Sequence, residues 1–319
     1  MSIGVLALVR LSPERVAGLI AAGYAVREGA KYASRMDALG DNGDVRAVLT
    51  NGRGGLSGDE MALLPDLEMV CAVGGGHEAI DLDAARRRGI AVANCPGTNA
   101  SAVADSAMML LMAATRHLLQ ADRFVRAGGW QEQWRVDTPT LSGKRLGILG
   151  LGTIGGRIAH RAARGFDMEI GYHNRTAVTG SSYRYFDSLI ELATWADFLV
   201  CSAPGGAGTR HLVNASVLAA LGPKGYLVNI GRGSVVDTAA LIDALRANRI
   251  AGAGLDVVEG EPNVPPRLPE LLQFDNVVVT PHCAGRAPEA RAAATALILA
   301  NLNAHFAGKP LPTPVSFKA

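Results

Sequence analysis

Arg232, Glu261 and His282 are the residues of this chain best equipped for chemistry. Each stands just past a short apolar run: Leu227-Val228-Asn229-Ile230, Ala253-Gly254-Leu255-Asp256-Val257 and Val277-Val278-Val279-Thr280. The guanidinium of an arginine is a planar fork that fits a carboxylate and polarises a carbonyl beside it. Histidine exchanges protons near neutral pH. A carboxylate on its second ring nitrogen favours the imidazolium. Glu259 offers the same carboxylate two positions before Glu261, and spacing alone leaves that choice open. Such a set can hold a 2-oxo acid and protonate its carbonyl oxygen, given a hydride donor.

The donor's place is marked upstream by Gly150-Leu151-Gly152-Thr153-Ile154-Gly155. A bare GxGxxG is a weak signal, but Leu146–Leu149 reads as a strand directly before it and Ile154–Arg164 as a helix beginning inside it. Gly150 permits the tight turn, Gly152 lets backbone approach a pyrophosphate, and Gly155 allows close helix–strand packing. The helix N-terminus offers N–H groups to phosphate. NAD enzymes usually carry an acid at the end of the next strand for the ribose 2′-hydroxyl. This chain has Tyr172-His173-Asn174-Arg175-Thr176 there. A carboxylate would repel a 2′-phosphate, whereas Arg175 can grip one and Asn174 and Thr176 can donate to it, so NADP(H) is expected over NAD(H).

These groups need a frame. The first hundred residues alternate strand-like and helix-like pieces: strands at Ile3–Val9, Val45–Leu49, Met69–Val73 and Ile90–Ala93, helices at Pro13–Ala22 after Ser12 and at Asp81–Arg88. Such alternation implies a parallel sheet covered by helices. Around Asn94–Asn99 the pattern breaks, and one long helix is expected over Ser101–Ala127, ended by Gly128-Gly129. A helix of that length suits a domain or subunit boundary. Trp130 and Trp134 follow in a polar loop. A second α/β unit begins at Lys144. Its strands are expected at Arg145–Leu149, Glu169–Tyr172, Phe198–Ser202, Tyr226–Ile230, Gly252–Asp256 and Val277–Val279. Its helices include Ile154–Arg164, Ser188–Trp195 and Thr238–Asn248. Glu261–Pro269 reads as a loop, and a last helix as Pro288–Phe306.

Composition narrows the field. With 319 residues, two domains are expected. The net charge is +2 and no basic stripe is present, which argues against nucleic acid. The N-terminal apolar run lacks a basic start and reads as a strand rather than a signal peptide. Ala107–Ala114 is far short of the roughly 20 residues a membrane span needs. Cys71, Cys95, Cys201 and Cys283 are scattered without a CxxC pair, which fits a reducing cytoplasm and no metal site.

At this point the chain resembles the D-2-hydroxyacid dehydrogenases, over nearly its whole length. The motifs that carry the likeness are Leu149–Gly155, Asn229-Ile230-Gly231-Arg232-Gly233 with Val236-Asp237, Gly254–Pro262 and Thr280-Pro281-His282. Within the family it is most similar to the NADPH-dependent glyoxylate/hydroxypyruvate reductases, through Tyr172–Thr176, Ala220–Gly225 and Ala304–Pro310. The resemblance implies two doubly wound α/β domains, a Rossmann cofactor domain (99–285) inserted in a flavodoxin-like substrate domain (1–98 and 286–319). It further implies a substrate cleft closing on hinges near Pro96–Asn99 and Gly285–Pro288, and a homodimer.

It also distributes roles. Arg232 binds the 2-oxo acid, Glu261 rather than Glu259 orients the acid–base group, and His282 donates the proton. Ala203-Pro204, Thr209, Ile230, Gly231, Asp256 and His282 line the cofactor beside Gly150, Gly152, Thr153, Ile154 and Gly155, with Asp256 at the nicotinamide carboxamide. Gly74, Gly75 and Gly76 offer backbone N–H groups to the substrate carboxylate. Arg53 is a further cleft candidate, and Trp130 and Trp134 resemble an aromatic loop that reaches toward a partner subunit. The chain departs from the family pattern at His77-Glu78, Asp105, Gly205-Gly206 and Cys283-Ala284, and the changes at 77, 205 and 283 bear on substrate size. The implied reaction is NADPH-dependent reduction of glyoxylate or hydroxypyruvate to glycolate or D-glycerate. Rival readings are a reductase of another 2-oxo acid (2-ketogluconate, pyruvate or an arylpyruvate) and a nucleotide-sensing corepressor-like binding protein.

Overall fold

In a computed structural model that describes residues 2–132 and 134–317, the chain divides into two compact units. One takes the chain up to Asn99 and again from Arg286, and the other spans Ala100–Gly285.

The first unit is built on strands β1 (Ile3–Ala7), β2 (Tyr24–Glu28), β3 (Ala47–Thr50), β4 (Met69–Ala72) and β5 (Ala91–Ala93). They form one parallel sheet in the order β2-β1-β3-β4-β5, the flavodoxin-like winding. Side chains alternate between its faces. Val5, Ala47, Leu49, Met69 and Cys71 pack on one side with Leu19 and with Ala294, Ile298 and Leu302 of the last helix, Pro288–Phe306. Leu6, Val48, Val70 and Ala72 pack on the other with Leu39, Met61 and Leu64. Between the strands lie α1 (Pro13–Ala21), α2 (Arg35–Gly40), α3 (Gly58–Ala62) and α4 (Leu82–Arg87). Each starts at a side-chain cap, Ser12, Ser34, Ser57 and Asp81, and a cap is worth about 1 kcal/mol.

The second unit begins with α5 (Ala100–Thr115) and α6 (Leu118–Arg126). The single helix expected over Ser101–Ala127 is therefore two. α5 buries most of one side, α6 buries nothing, and His117 between them turns left-handed (φ 50°) where the core ends. Trp130, expected in an irregular loop, lies in a short 3₁₀ turn, Gly129–Glu132.

Then follow β6 (Arg145–Leu149), α7 (Thr153–Gly165), β7 (Glu169–His173), β8 (Arg184–Tyr185), α8 (Leu189–Trp195), β9 (Phe198–Cys201), α9 (Ala215–Leu221), β10 (Tyr226–Asn229), α10 (Thr238–Arg246), β11 (Gly252–Leu255), α11 (Leu268–Leu271) and β12 (Val277–Val279). The seven strands make a parallel sheet in the order β12-β11-β10-β9-β6-β7-β8. Chain order reverses direction between β6 and β9, the switch point at which doubly wound sheets bind ligands. Phe198, Val200, Tyr226 and Val228 face one core with α5, while Leu199, Cys201 and Leu227 face the other with α8–α10. Gly254 has no side chain because α5 lies against it: a Cβ there would meet Leu110 at 3.0 Å.

Strands expected through Val9, Val73, Ser202, Ile230 and Asp256 stop one or two residues earlier. α11 begins inside the stretch read as a loop. No helix of the described residues is long and apolar enough to cross a membrane.

Candidate active site

Because every strand of the second unit runs parallel, all their carboxyl ends share one edge. Along it, in spatial order, come the loops bearing His282 (after β12), Glu261 (after β11), Arg232 (after β10), Ala203-Pro204 (after β9), the glycine fingerprint (after β6) and Arg175 (after β7).

The fingerprint is shaped by contact. Gly150 turns at φ 97°, and a Cβ on it would meet the Ala203 nitrogen at 2.9 Å. A Cβ on Gly155 would lie 2.2 Å from the Gly150 carbonyl oxygen, so only glycine lets α7 start this close to the strand. Gly152 differs: nothing of the protein lies within 4 Å of where its Cβ would be. It caps α7 without a side-chain hydrogen bond, so the first-turn N–H groups of a 13-residue helix, those of Thr153 and Ile154 included, are open to an anion. These features fit a dinucleotide pyrophosphate. Two side chains hold the loop: Asn174 Oδ1 accepts from Leu151 N at 2.7 Å, and Ser202 Oγ donates to the Gly150 oxygen at 2.6 Å.

At the end of β7, Arg175 and Thr176 are exposed. Asn174 has spent its oxygen on the glycine loop, which leaves its amide N–H groups to donate. His173 Nδ1 meets the Phe186 carbonyl at 2.9 Å, and the Tyr172 hydroxyl accepts from Val178 N at 2.9 Å. No carboxylate occupies the strand end.

After β9, Thr209 staples the turn by donating its hydroxyl to the Pro204 oxygen at 2.8 Å. Ile230 is buried, and a Cβ on Gly231 would meet the Ala203 oxygen at 2.5 Å. The loops after β9 and β10 thus touch. Asn229 ties the second of them, accepting from Gly231 N at 3.1 Å and donating to the Arg232 oxygen at 3.0 Å. The stem of Arg232 runs past Gly205, where a Cβ would stand 3.0 Å from its Cγ, and its Nη1 donates to the Gly231 oxygen at 2.9 Å.

Glu261 reaches across to the next loop. Its Oε2 lies 2.5 Å from His282 Nδ1, and its Oε1 accepts from Val258 N at 3.0 Å. A carboxylate only accepts at neutral pH, so Nδ1 carries the hydrogen and Nε2 is the nitrogen left for a substrate. Glu259 turns elsewhere, to His211 Nε2 at 2.8 Å and to Arg210 at 2.9 Å. Geometry therefore separates two carboxylates that spacing could not.

His282 itself is left-handed (φ 49°), a conformation that costs on the order of 1 kcal/mol outside glycine. Asp256 holds it there. Its backbone oxygen accepts from His282 N at 2.8 Å. Its carboxylate, 2 % exposed, accepts from the Thr280 hydroxyl at 2.6 Å, Cys283 N at 2.9 Å and Ala284 N at 3.0 Å. Asp256, expected at a nicotinamide carboxamide, also holds the turn that carries His282. Ser202, Arg210 and His211 belong to this edge and were not singled out by sequence, since nothing in their spacing marks them; Thr280 was named only as part of the histidine motif, with no role of its own.

The remaining candidates lie elsewhere. Gly74–Gly76 follow β4 in the first unit, where the Gly74 oxygen accepts from Cys95 N at 2.9 Å and the Gly75 oxygen from Asn94 Nδ2 at 2.8 Å. Arg53 is exposed after β3, its N–H bonded to Asn51 Oδ1 at 3.0 Å. Trp130 is 77 % exposed, and Trp134 packs edge-on against Phe124 at 5.5 Å.

Comparison with known proteins shows the family. The family described as "D-isomer specific 2-hydroxyacid dehydrogenase, NAD binding domain" matches residues 108–284. The chain belongs to this family of NAD(P)-dependent oxidoreductases. It is 42% identical over 271 residues to the hydroxyphenylpyruvate reductase of Plectranthus scutellarioides, covering 85% of each chain. It is 43% identical over 271 residues to glyoxylate/hydroxypyruvate reductase A of Arabidopsis thaliana, again 85% of each. The NADPH-dependent glyoxylate/hydroxypyruvate reductase of Sinorhizobium meliloti, solved with NADP and malonate, superposes with a TM-score of 0.86 at 37% identity, over 99% of this chain and 97% of that one.

Proposed function

We propose that the protein reduces glyoxylate and hydroxypyruvate with NADPH, giving glycolate and D-glycerate. The observation that carries this reading is the Glu261–His282 pair on the same sheet edge as Arg232 and the glycine fingerprint. Bound nicotinamide supplies the hydride. Arg232 holds the substrate carboxylate and polarises the neighbouring carbonyl. His282 delivers a proton from Nε2 to the carbonyl oxygen, while Glu261, hydrogen-bonded to Nδ1, keeps the ring oriented and stabilises the imidazolium. The preference for NADPH rests on the missing carboxylate at the end of β7 and on exposed Arg175. The S. meliloti neighbour solved with NADP supports the same reading.

A second reading is favoured by one comparison. The P. scutellarioides relative is a hydroxyphenylpyruvate reductase, which supports a larger 2-oxo acid as the substrate. Following NADPH and NADH oxidation against glyoxylate, hydroxypyruvate, 2-ketogluconate and hydroxyphenylpyruvate decides between the two. No turnover with any of them overturns both.

The reading extends to a homodimer. Met109, Met112, Leu118, Leu119 and Val125 are exposed along α5 and α6, with Trp130 following, and apolar surface of this kind calls for cover. It also extends to the cytoplasm, where four free thiols are stable. Sedimentation and fractionation test these two points.

A further inference from the structure

We infer that His211 is a positioning residue of this active site, fixing the Glu261 loop against the Arg232 loop through Glu259. The inference rests on the reductase reading of Arg232, Glu261 and His282. His211 follows β9 in a left-handed conformation (φ 52°). Its backbone is laced to the segment just after Arg232: its N–H donates to the Ser234 oxygen at 2.8 Å, Val213 N to the Val235 oxygen at 3.0 Å, and Asp237 N to the Val213 oxygen at 3.0 Å. Its ring points the other way. Nε2 meets Glu259 Oε1 at 2.8 Å, and Arg210 reaches the same oxygen at 2.9 Å. Asp237, on the Arg232 side, lies 3.9 Å from Nδ1. One imidazole therefore spans the two loops.

What it fixes is close to the chemistry. Glu259 precedes Glu261 by two residues, and Val258 between the strand and Glu259 donates to Glu261 Oε1. The loops are also in contact below: a Cβ on Gly233 would fall 2.2 Å from the Val258 carbonyl carbon. Glycine lets the loops meet there without fixing their angle, because it contributes no side chain. The His211–Glu259 contact supplies the second point that a rigid placement requires. Small displacements of an acid–base group cost rate steeply, so the length of this contact bears on whether Glu261 reaches His282.

The test compares His211→Ala, His211→Gln, Glu259→Ala and the double alanine variant, in the full chain with NADP(H) bound. Two quantities are read: kcat and KM with glyoxylate, and the downfield proton resonance of the His282 Nδ1–H, assigned by its disappearance on substitution of His282. His211→Ala is expected to lower kcat about tenfold, to leave the NADPH KM within about twofold, and to move the resonance upfield. His211→Gln, whose amide can donate to Glu259, restores both. The double variant is no worse than either single one. Should His211→Ala fail to fold, Glu259→Ala carries the same expectations. An unmoved resonance with unchanged kcat overturns the inference, as does a doubly additive loss. Absence of turnover in the unsubstituted protein overturns the reductase reading instead, and the resonance then still reports whether His211 governs the Glu261–His282 bond.

Discussion

Asp256 and Thr280 are joined by a 2.6 Å hydrogen bond that closes the turn carrying His282. The same carboxylate accepts two backbone N–H groups of that turn, so one buried acid fixes the direction of the proton donor. In Asp256→Asn one oxygen becomes an NH2 that must face a backbone N–H. The expected cost is about 2 kcal/mol, with kcat falling on the order of 10²-fold. Urea unfolding and steady-state kinetics measure the two, and a variant with unchanged kcat would show that the turn is fixed by other contacts.

His282→Asn separates chemistry from backbone geometry. Asparagine accepts the left-handed conformation better than alanine, so the turn survives while the proton donor is lost. Turnover should fall about 10²- to 10⁴-fold with NADPH binding retained, as read by a cofactor fluorescence titration. Near-normal turnover would remove His282 from the mechanism.

The second and third glycines of the fingerprint, Gly152 and Gly155, should fail differently. Gly155→Ala drives a methyl into the Gly150 oxygen and should destabilise the whole second unit. Gly152→Ala meets no protein atom, so it should melt normally yet bind NADPH at least about tenfold more weakly, because the methyl stands where the pyrophosphate approaches. Thermal melts and binding isotherms of the pair check this, and equal melting losses would contradict it.

Arg175→Ala should raise the KM for NADPH about tenfold while changing that for NADH by less than about twofold. Parallel KM measurements suffice. Equal effects would mean that Arg175 does not meet a 2′-phosphate.

Acid should unfold both units through carboxylates held below their ordinary range. For Asp197, burial opposes ionisation, but hydrogen bonds from the Arg145 side chain and backbone outweigh it. For Glu60, burial again opposes, and bonds from Arg35 and Ser57 win. With folded values lowered, the stability these groups contribute is present above their unfolded values and lost as pH falls through the folded ones. Asp197→Asn and Glu60→Gln should therefore lower stability at neutral pH and progressively less as pH falls below about 4, which urea midpoints along that range will show.

Much of the frame was readable because parallel strands buried on both faces are continuous apolar runs. Val277–Val279 and Pro288–Phe306 fall where their residues predict them. What escaped was at the margins. β2 and β8 are edge strands, half-exposed and charged, so they lack the apolar run. α3 carried a readable sign, the Ser57–Glu60 capping box, in a helix too short to show periodicity. The break at His117 depends on where the core ends, a tertiary fact. At the site, residue types and order identified the trio, whereas the choice of Glu261 over Glu259 is a matter of which carboxylate the loop turns toward His282. Asn174 looked like a cofactor ligand and is found bonding the glycine loop as well, because a side-chain oxygen at a strand end can reach backbone one strand away.

The alternation of strand interiors and loop ends carries an evolutionary corollary. Leu199, Val200, Leu227 and Val228 determine how long the second unit survives heat, and none of them lies in the loops that carry the polar groups. The segment from Pro204 to Thr209 sits outside the sheet, and hydrogen bonds from the Thr209 hydroxyl to the Pro204 and Gly206 oxygens hold it. Durability and selectivity are therefore written in different letters of the same strand–loop words. A lineage can retune which acid it takes by editing loops, with no debt to the core.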